Sequence, residues 1–339
     1  MKLATIRSGS PDGRLAVVSD DLRLAVDATD VAGSMREAIE RWADVEPELR
    51  AIAARLESGQ APGAFHFEQE QCAAPLPRAF QWCDGSAFLH HGRLMERAFN
   101  VEPIPESDSI PLMYQGAGDD FIGPREDVYL PDETHGIDFE GEFGVIVDEV
   151  PMGVSAQEAL KKIRLVVQIN DWSLRALGPR EMRSGFGFLQ AKPSTSFAPV
   201  AVTPDSLGEG WQNGRVCMHL NIDWNGEHFG RPFGGEMHFH FGELIAHAAR
   251  TRRLSPGTII GSGTVSNESG DLGSACIAER RVIEIIDSGA AKTSFMRFGD
   301  TVRMEARPAA ASKTEHGPFG VIEQRVVAAV YGNPNGAQV

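Results

Sequence analysis

Polar and apolar residues alternate in GIDFEGEFGVIVDEV, residues 136–150. Side chains alternate across a strand, so Asp138, Glu140 and Glu142 are predicted to share one face, just ahead of the apolar run Val145, Ile146 and Val147. Three like charges on one face repel unless something compensates them or the face is fully wet. Short strands with turn signals (SPDG, SDD) are predicted over residues 1–33. IRLVVQINDWS reads as a buried strand, and Asn225-Gly226 as a hairpin turn. PGTIIGSGTVS reads as a strand entering a glycine-rich loop, and FGDTVRMEA as a late strand.

Helical periods are fewer. Ser34 with Glu37 forms a capping-box pattern opening a helix that is kinked or broken near Pro47 and stops near Gly59. Ser155 with Glu158 opens a second helix, to about Lys162. DGSAFLHHGRLMERAF and GELIAHAARTRRL also read as helical, the first with Asp84 near its N-cap. Strands outnumber helices and βαβ alternation is weak, which predicts a β-rich α+β fold. A Pro/Gly/Ala-rich stretch near residue 75 divides a small N-terminal α/β domain, 1–75, from a main domain, 76–339.

Composition narrows the function. The chain has 339 residues, 42% of them hydrophobic, enough for a sizeable core. A net charge of −15 argues against nucleic-acid backbones as partners. The absence of any run of about 18 apolar residues argues against a membrane span. The N-terminus, MKLATIRSGS, lacks the apolar stretch of a secretory signal. Cys72, Cys83, Cys217 and Cys276 are scattered and read as reduced, buried thiols of a cytoplasmic protein.

Candidate chemistry gathers on the acids. Asp171 ends an apolar strand and Asp84 follows an aromatic-rich run. With Glu140 and Glu142 they can converge only around a cation, and all-oxygen ligation favours Mg²⁺, Ca²⁺ or Mn²⁺. For any three acids taken alone, a solvated face is the commoner outcome. Likewise Asp84 alone reads as a helix cap, and His91 alone as a surface histidine. If both lay on one helix they would stand about 10 Å apart along its axis, at 1.5 Å per residue. That is too far to share an ion, but leaves room for a small substrate facing His91 as general base. His238, His240, Glu243 and His247 suggest a second metal site, but their spacing suits structural roles better.

Asp84 with His91, the Glu140–Glu142 pair, NDWSLR, Lys192, GSGTVS and Gly299-Asp300 occur in an order that resembles the fumarylacetoacetate hydrolase family over roughly residues 76–307. The resemblance implies a mixed β-sheet roll and a homodimer. It implies Asp84, Glu140, Glu142 and Asp171 as metal ligands and His91 as the water-activating base. Arg175 and Lys192 become the cations at the reacting carbonyl oxygen, and Tyr114 and Thr264 substrate contacts. Glu279, placed on a strand by a two-residue shift, becomes the acid orienting His91. Asp138 is expected in a supporting or solvent-facing role. Gly178 and Met182 stand where the fumarylacetoacetate enzymes have a glutamine and a tyrosine, which places the departure in the substrate wall. The implied activity is hydrolysis of a carbon–carbon bond in a small acylpyruvate or β-diketone acid, with fumarylacetoacetate, from aromatic amino-acid breakdown, as leading substrate. The alternatives are hydratase, isomerase or decarboxylase chemistry on 2-oxo acids, or a non-catalytic metal-binding homologue.

Overall fold

The computed structural model describes residues 1–99, 102–308 and 315–329. Strands β1 (Lys2–Ile6), β2 (Arg14–Val18), β3 (Leu24–Asp27) and β4 (Phe65–His66) pair antiparallel in sequence order. Helices α1 (Met35–Glu40) and α2 (Trp42–Glu57) separate the last two. Ser34 caps α1, its hydroxyl accepting from the Glu37 N–H. The helix breaks at Arg41 and not at Pro47, which lies inside α2. Proline there removes one early hydrogen bond, and burial of Val45, Leu49, Ile52 and Leu56 outweighs that loss.

The chain continues through β5 (Trp82–Gly85), α3 (Leu89–Phe99), β6 (Met113–Gly116) and β7 (Val128–Leu130). Next come β8 (Ile137–Asp138), β9 (Gly141–Val147), α4 (Ala156–Leu160) and β10 (Ile163–Asn170). They lead into β11 (Ser173–Leu174), α5 (Gly178–Ser184), β12 (Ser196–Phe197) and β13 (Val200–Val202). After these run β14 (Trp211–Gln212), β15 (Arg215–Val216), β16 (Met218–Trp224), β17 (Glu227–Gly230) and α6 (Phe241–Ala248). The last described elements are β18 (Ile259–Gly261), α7 (Ile277–Ser288), β19 (Thr301–Pro308) and β20 (Ile322–Ala328).

One mixed sheet runs β4-β3-β2-β1-β13-β10-β9-β18-β5-β6, with β12 attached to β10. Because β1 pairs with β13, the N-terminal strands extend the same sheet that holds the acids. On one face Leu3, Leu15, Ile146, Leu165 and Val167 cluster with Ile39 and Leu49 of the first helices. On the other, Val145, Val147 and Val166 cluster with Leu220, Ile222, Val302 and Met304 of a second sheet, β17-β16-β19-β20-β7. Burial on both faces explains the apolar runs Val145–Val147 of β9 and Leu165–Val167 of β10, where alternation stops. The result is the β-rich α+β class that the pattern predicts, in the mixed-sheet roll that the resemblance implies.

The Asn225-Gly226 turn joins β16 to β17 with both residues at positive φ (53° and 78°), as a two-residue hairpin requires. All four cysteines are free; Cys72, Cys83 and Cys276 are buried as expected, whereas Cys217 is only half-buried. No helix among the described residues is long and apolar enough to cross a membrane.

Candidate active site

Four strands lie side by side in the order β10-β9-β18-β5, and their ends deliver the acids. Glu142 lies on β9, Asp171 directly follows β10, and Asp84 lies on β5. The expected placement of Asp84 at a helix N-cap is corrected: the residue is in a strand, and α3 begins at Leu89. Parallel pairing with β18 overrides the local helical pattern, and the distance along a shared helix lapses with it.

Gly261 of β18 pairs with Asp84 on one side and Gly144 on the other, so all three share a face with Glu142. A Cβ at Gly261 would stand 2.3 Å from Asp84 Oδ1. The strand between the two acids therefore presents no side chain at this point. Asp84, Glu142 and Asp171 each bring one carboxylate oxygen within 4.8 Å of the other two, and all three residues are buried.

The hydrogen-bond supply around these acids is uneven. Tyr114 Oη donates to Asp171 Oδ2 (2.6 Å) and Thr195 Oγ1 to Asp171 Oδ1 (2.7 Å). The Gly263 N–H donates to Asp84 Oδ1 (3.0 Å). Neither oxygen of Glu142 has a donor among the described residues. Burial, with the Asp171 carboxylate beside it, pushes the Asp84 carboxyl up to about 8. Burial, then Asp84 and Asp171, push Glu142 well above the usual carboxylate range. A buried carboxylate without donors is costly unless a positive charge meets it. The donor set therefore fits a hard divalent cation, with Asp84, Glu142 and Asp171 as its holders.

Glu140 stands beside this triad between two cations, 2.6 Å from Arg175 Nη2 and 2.5 Å from Lys192 Nζ. Burial works against its charge, but Arg175 and Lys192 outweigh burial and hold the carboxyl well below the usual range. Lys192 Nζ also lies 2.6 Å from Asp171 Oδ2. Burial opposes its charge too, yet Asp171 and Glu140 raise it further.

The solvent-facing reading of Asp138 is corrected, because the residue is fully buried. It accepts from Arg175 Nε (2.8 Å) and from the N–H groups of Ile277 (2.7 Å) and Ala278 (2.8 Å). These open α7, so the carboxylate caps that helix where its free N–H groups favour negative charge. Of the three acids of the opening stretch, Asp138 and Glu140 are thus compensated by side-chain cations and helix N–H groups, and Glu142 is left without a donor.

His91, on α3, places Nδ1 2.8 Å from Glu279 Oε2. Glu279 was expected on a strand; it lies in the first turn of α7, and its N–H meets the Cys276 sulfur at 3.3 Å. The cap from Cys276 and the Asp138 carboxylate turn GSACIAERR into a helix start, and Asp138 is remote in sequence. Thr264 is buried in the loop after β18. Gly263 within that loop has φ +76°, and a Cβ there would stand 2.3 Å from the Gly85 carbonyl oxygen. Gly178 and Met182 lie on α5, and Phe188 beyond it packs edge-on against Tyr114, with ring centres 5.2 Å apart.

His240 caps α6 in a capping box with Glu243, His247 lies within that helix, and His238 Nε2 meets the Asp108 carbonyl at 2.9 Å. These histidines are therefore structural. Gly261 and Gly263 belong to the GSGTVS loop that the sequence singles out, with no role read for either glycine, and Thr195 was missed from sequence. The glycine spacing in IIGSGT carried a signal of close backbone approach, whereas Thr195 carried none.

Carboxylates gathered at the ends of adjacent buried strands, with a carboxylate-steered histidine nearby, define a class: enzymes that work with a divalent cation. Residues 81–327 match the family model described as Fumarylacetoacetate (FAA) hydrolase C-terminal, and residues 1–78 match Fumarylacetoacetase N-terminal domain 2. The chain belongs to the fumarylacetoacetate hydrolase family.

Among its relatives, 2,4-didehydro-3-deoxy-L-rhamnonate hydrolase of Sphingomonas sp. (strain SKA58) is 34% identical over 166 residues, 48% of this chain and 54% of that protein. The mitochondrial oxaloacetate tautomerase FAHD2B of Homo sapiens is 26% identical over 185 residues, 54% of each. The chain thus spans about half the length of the curated relatives it matches. In fold it is similar to maleylpyruvate hydrolase from Sphingobium sp. SYK-6, solved with manganese(II) and pyruvate. That likeness has a TM-score of 0.64 at 17% identity, over 97% of this chain and 100% of the other.

Proposed function

We propose that the protein is a divalent-cation-dependent hydrolase that cleaves a carbon–carbon bond in a small β-diketo or acylpyruvate acid. The observation that carries this reading is the donor-free Glu142 carboxylate, clustered with Asp84 and Asp171. Mg²⁺, Mn²⁺ or Ca²⁺ held there would polarise a carbonyl and accept the enolate oxygens of such an acid. Glu140 joins the ligand set from beside the triad and ties it to Arg175 and Lys192. Tyr114 and Thr195 orient Asp171, and the Gly263 N–H orients Asp84.

Glu279 accepts the Nδ1 proton of His91 and so fixes the tautomer, leaving Nε2 as the base for a water. The water attacks the carbonyl as His91 takes its proton. Lys192 supplies positive charge to the alkoxide that forms. Arg175 is engaged with Asp138 and Glu140, so its role here is to hold Glu140 in place. Collapse of the alkoxide breaks the carbon–carbon bond, and the imidazolium returns a proton to the departing carbon. Tyr114 and Thr264 contact the substrate in this reading, and fumarylacetoacetate is one candidate. The catalytic unit is a homodimer in the cytoplasm, a reading that the four free cysteines support for the compartment and that sedimentation and cell fractionation test.

The match to an oxaloacetate tautomerase favours a second reading, proton transfer on a 2-oxo acid without bond cleavage, by the same His91–Glu279 pair. A panel of β-diketo and 2-oxo acids, followed by enol absorbance and product analysis, separates the two. Hydrolysis yields two fragments, whereas tautomerase, hydratase or isomerase chemistry yields one. Turnover that survives complete removal of divalent ions overturns both, and no turnover of any acid leaves a cation-binding homologue.

A further inference from the structure

The lobe of residues 178–191 leads from β11 to Lys192 and carries Gly178 and Met182, where the substrate wall departs from the fumarylacetoacetate enzymes. Little apolar burial holds it: Met182, Phe186 and Leu189 are 66%, 97% and 83% exposed. The chain reverses through Gly185 and Gly187, both at positive φ (75° and 94°). One side chain closes the lobe on itself. Glu181 Oε2 accepts from the N–H groups of Leu189 (3.0 Å) and Ala191 (3.0 Å), and Oε1 from that of Gln190 (2.8 Å). Burial raises the Glu181 carboxyl, but these N–H groups outweigh burial and hold it below its ordinary value. Hydrogen bonds to an ionised acceptor are the strong kind, so the shape of the lobe rests on this carboxylate.

The lobe reaches the site through Phe188, the residue just before the clasped run 189–191. Its ring meets Tyr114 edge-on with centres 5.2 Å apart, and Tyr114 Oη donates to Asp171 Oδ2 at 2.6 Å. Lys192, at the other end of the run, has supports of its own. The Ala191 carbonyl before it accepts from the Leu174 N–H of β11 (2.8 Å), and Nζ stands between Glu140 and Asp171. Asp171 likewise keeps Thr195 and Lys192 as partners besides Tyr114. The clasp therefore bears on Phe188 and the Tyr114 ring far more than on the acids.

We infer that Glu181 is a positioning residue: it clasps the lobe so that Phe188 holds the Tyr114 ring as the wall against which the substrate packs. The contact of Tyr114 with substrate rests on the proposed reading of the site, whereas the clasp on Phe188 and Tyr114 does not.

Two measurements on the full chain test it. The first is fluorine NMR of protein labelled with 3-fluorotyrosine. The chain has three tyrosines, and Tyr114→Phe assigns the resonance of interest. The Phe188 ring shifts that resonance, so Glu181→Ala should move it in the same direction as Phe188→Leu does, and over most of the same extent. Glu181→Gln keeps one oxygen that can accept two of the N–H groups and should move it only part of the way. The second measurement is steady-state kinetics of the Mn²⁺-loaded protein on the best acid of the panel. Glu181→Ala should lower kcat/KM about tenfold, carried by KM, with Glu181→Gln recovering part of the loss. Mn²⁺ affinity, read by calorimetry, should stay as in the wild type. An unmoved Tyr114 resonance in Glu181→Ala, unchanged kinetics, a fall in kcat at constant KM, or a Gln variant no better than Ala would overturn the inference alone. Wild-type protein that turns over no acid would overturn the parent reading, and the fluorine resonance would still decide whether Glu181 positions Phe188 on Tyr114.

Discussion

Glu140 and Glu142 are one residue apart from being neighbours, yet their surroundings are opposite. Glu140 has two cations within 2.6 Å, and Glu142 has no donor among the described residues. The missing charge at Glu142 is what a cation supplies, so Glu142→Gln should abolish the thermal stabilisation by Mn²⁺. In the wild type that stabilisation reaches about 2.7 kcal/mol at a hundred times Kd. Melting curves across a Mn²⁺ titration measure it, and an undiminished shift in the variant would remove Glu142 from the ligand set. His91→Ala should behave differently. Turnover of the best acid in the panel should fall by about 10²–10⁴, while the Mn²⁺ shift stays as in the wild type. Both residues were legible as candidates because parity and spacing are local properties. Whether a cation or a solvated face answered the charge was not legible, since the answer comes from Asp84 and Asp171 on other strands.

At the scale of elements, α7 is the joint between His91 and the acids. Its first turn carries Glu279 toward His91, and its N–H groups rest on Asp138, which also holds Arg175. Asp138→Ala should destabilise the fold by about 3–5 kcal/mol, because it leaves a buried cation and two helix N–H groups without their acceptor. Urea unfolding reads the loss, and a change below about 1 kcal/mol would show that water replaces the carboxylate. Gly261→Ala acts on the sheet instead. Its Cβ would collide with Asp84 Oδ1, so Mn²⁺ affinity should drop even where the protein still folds. Local signals were enough for the Ser34 and Ser155 caps, because both partners lie within three residues. They were not enough for GSACIAERR, whose helix start is set by an acid 139 residues away.

For the whole molecule, the carboxylate cluster links stability to pH and to the cation. In the protein without a divalent ion, the Asp84 carboxyl sits at about 8, against an ordinary value of 3.8. Between those values the folded chain keeps a proton that the unfolded chain has lost, so stability falls as pH rises. Glu142 is shifted in the same direction. Melting temperature of the stripped protein should decline from pH 5 to pH 8, and the gain on adding Mn²⁺ should widen over the same range, since binding displaces those protons. Parallel curves with and without Mn²⁺ would show that these acids do not hold the ion.

The chain by itself determined what is written locally: a β-rich α+β class, the strand that carries three acids on one parity, the hairpin at Asn225-Gly226, and the residue types suited to a hard cation. Tertiary structure decided which of those acids meet. Strand order put a glycine of β18 between Asp84 and Glu142, and the packing of α3 against α7 brought His91 to Glu279, 188 residues away. Parity and capping depend on neighbours within a few bonds. Convergence depends on long-range pairing, whose closure entropy is met only when the whole sheet and its two apolar faces form together.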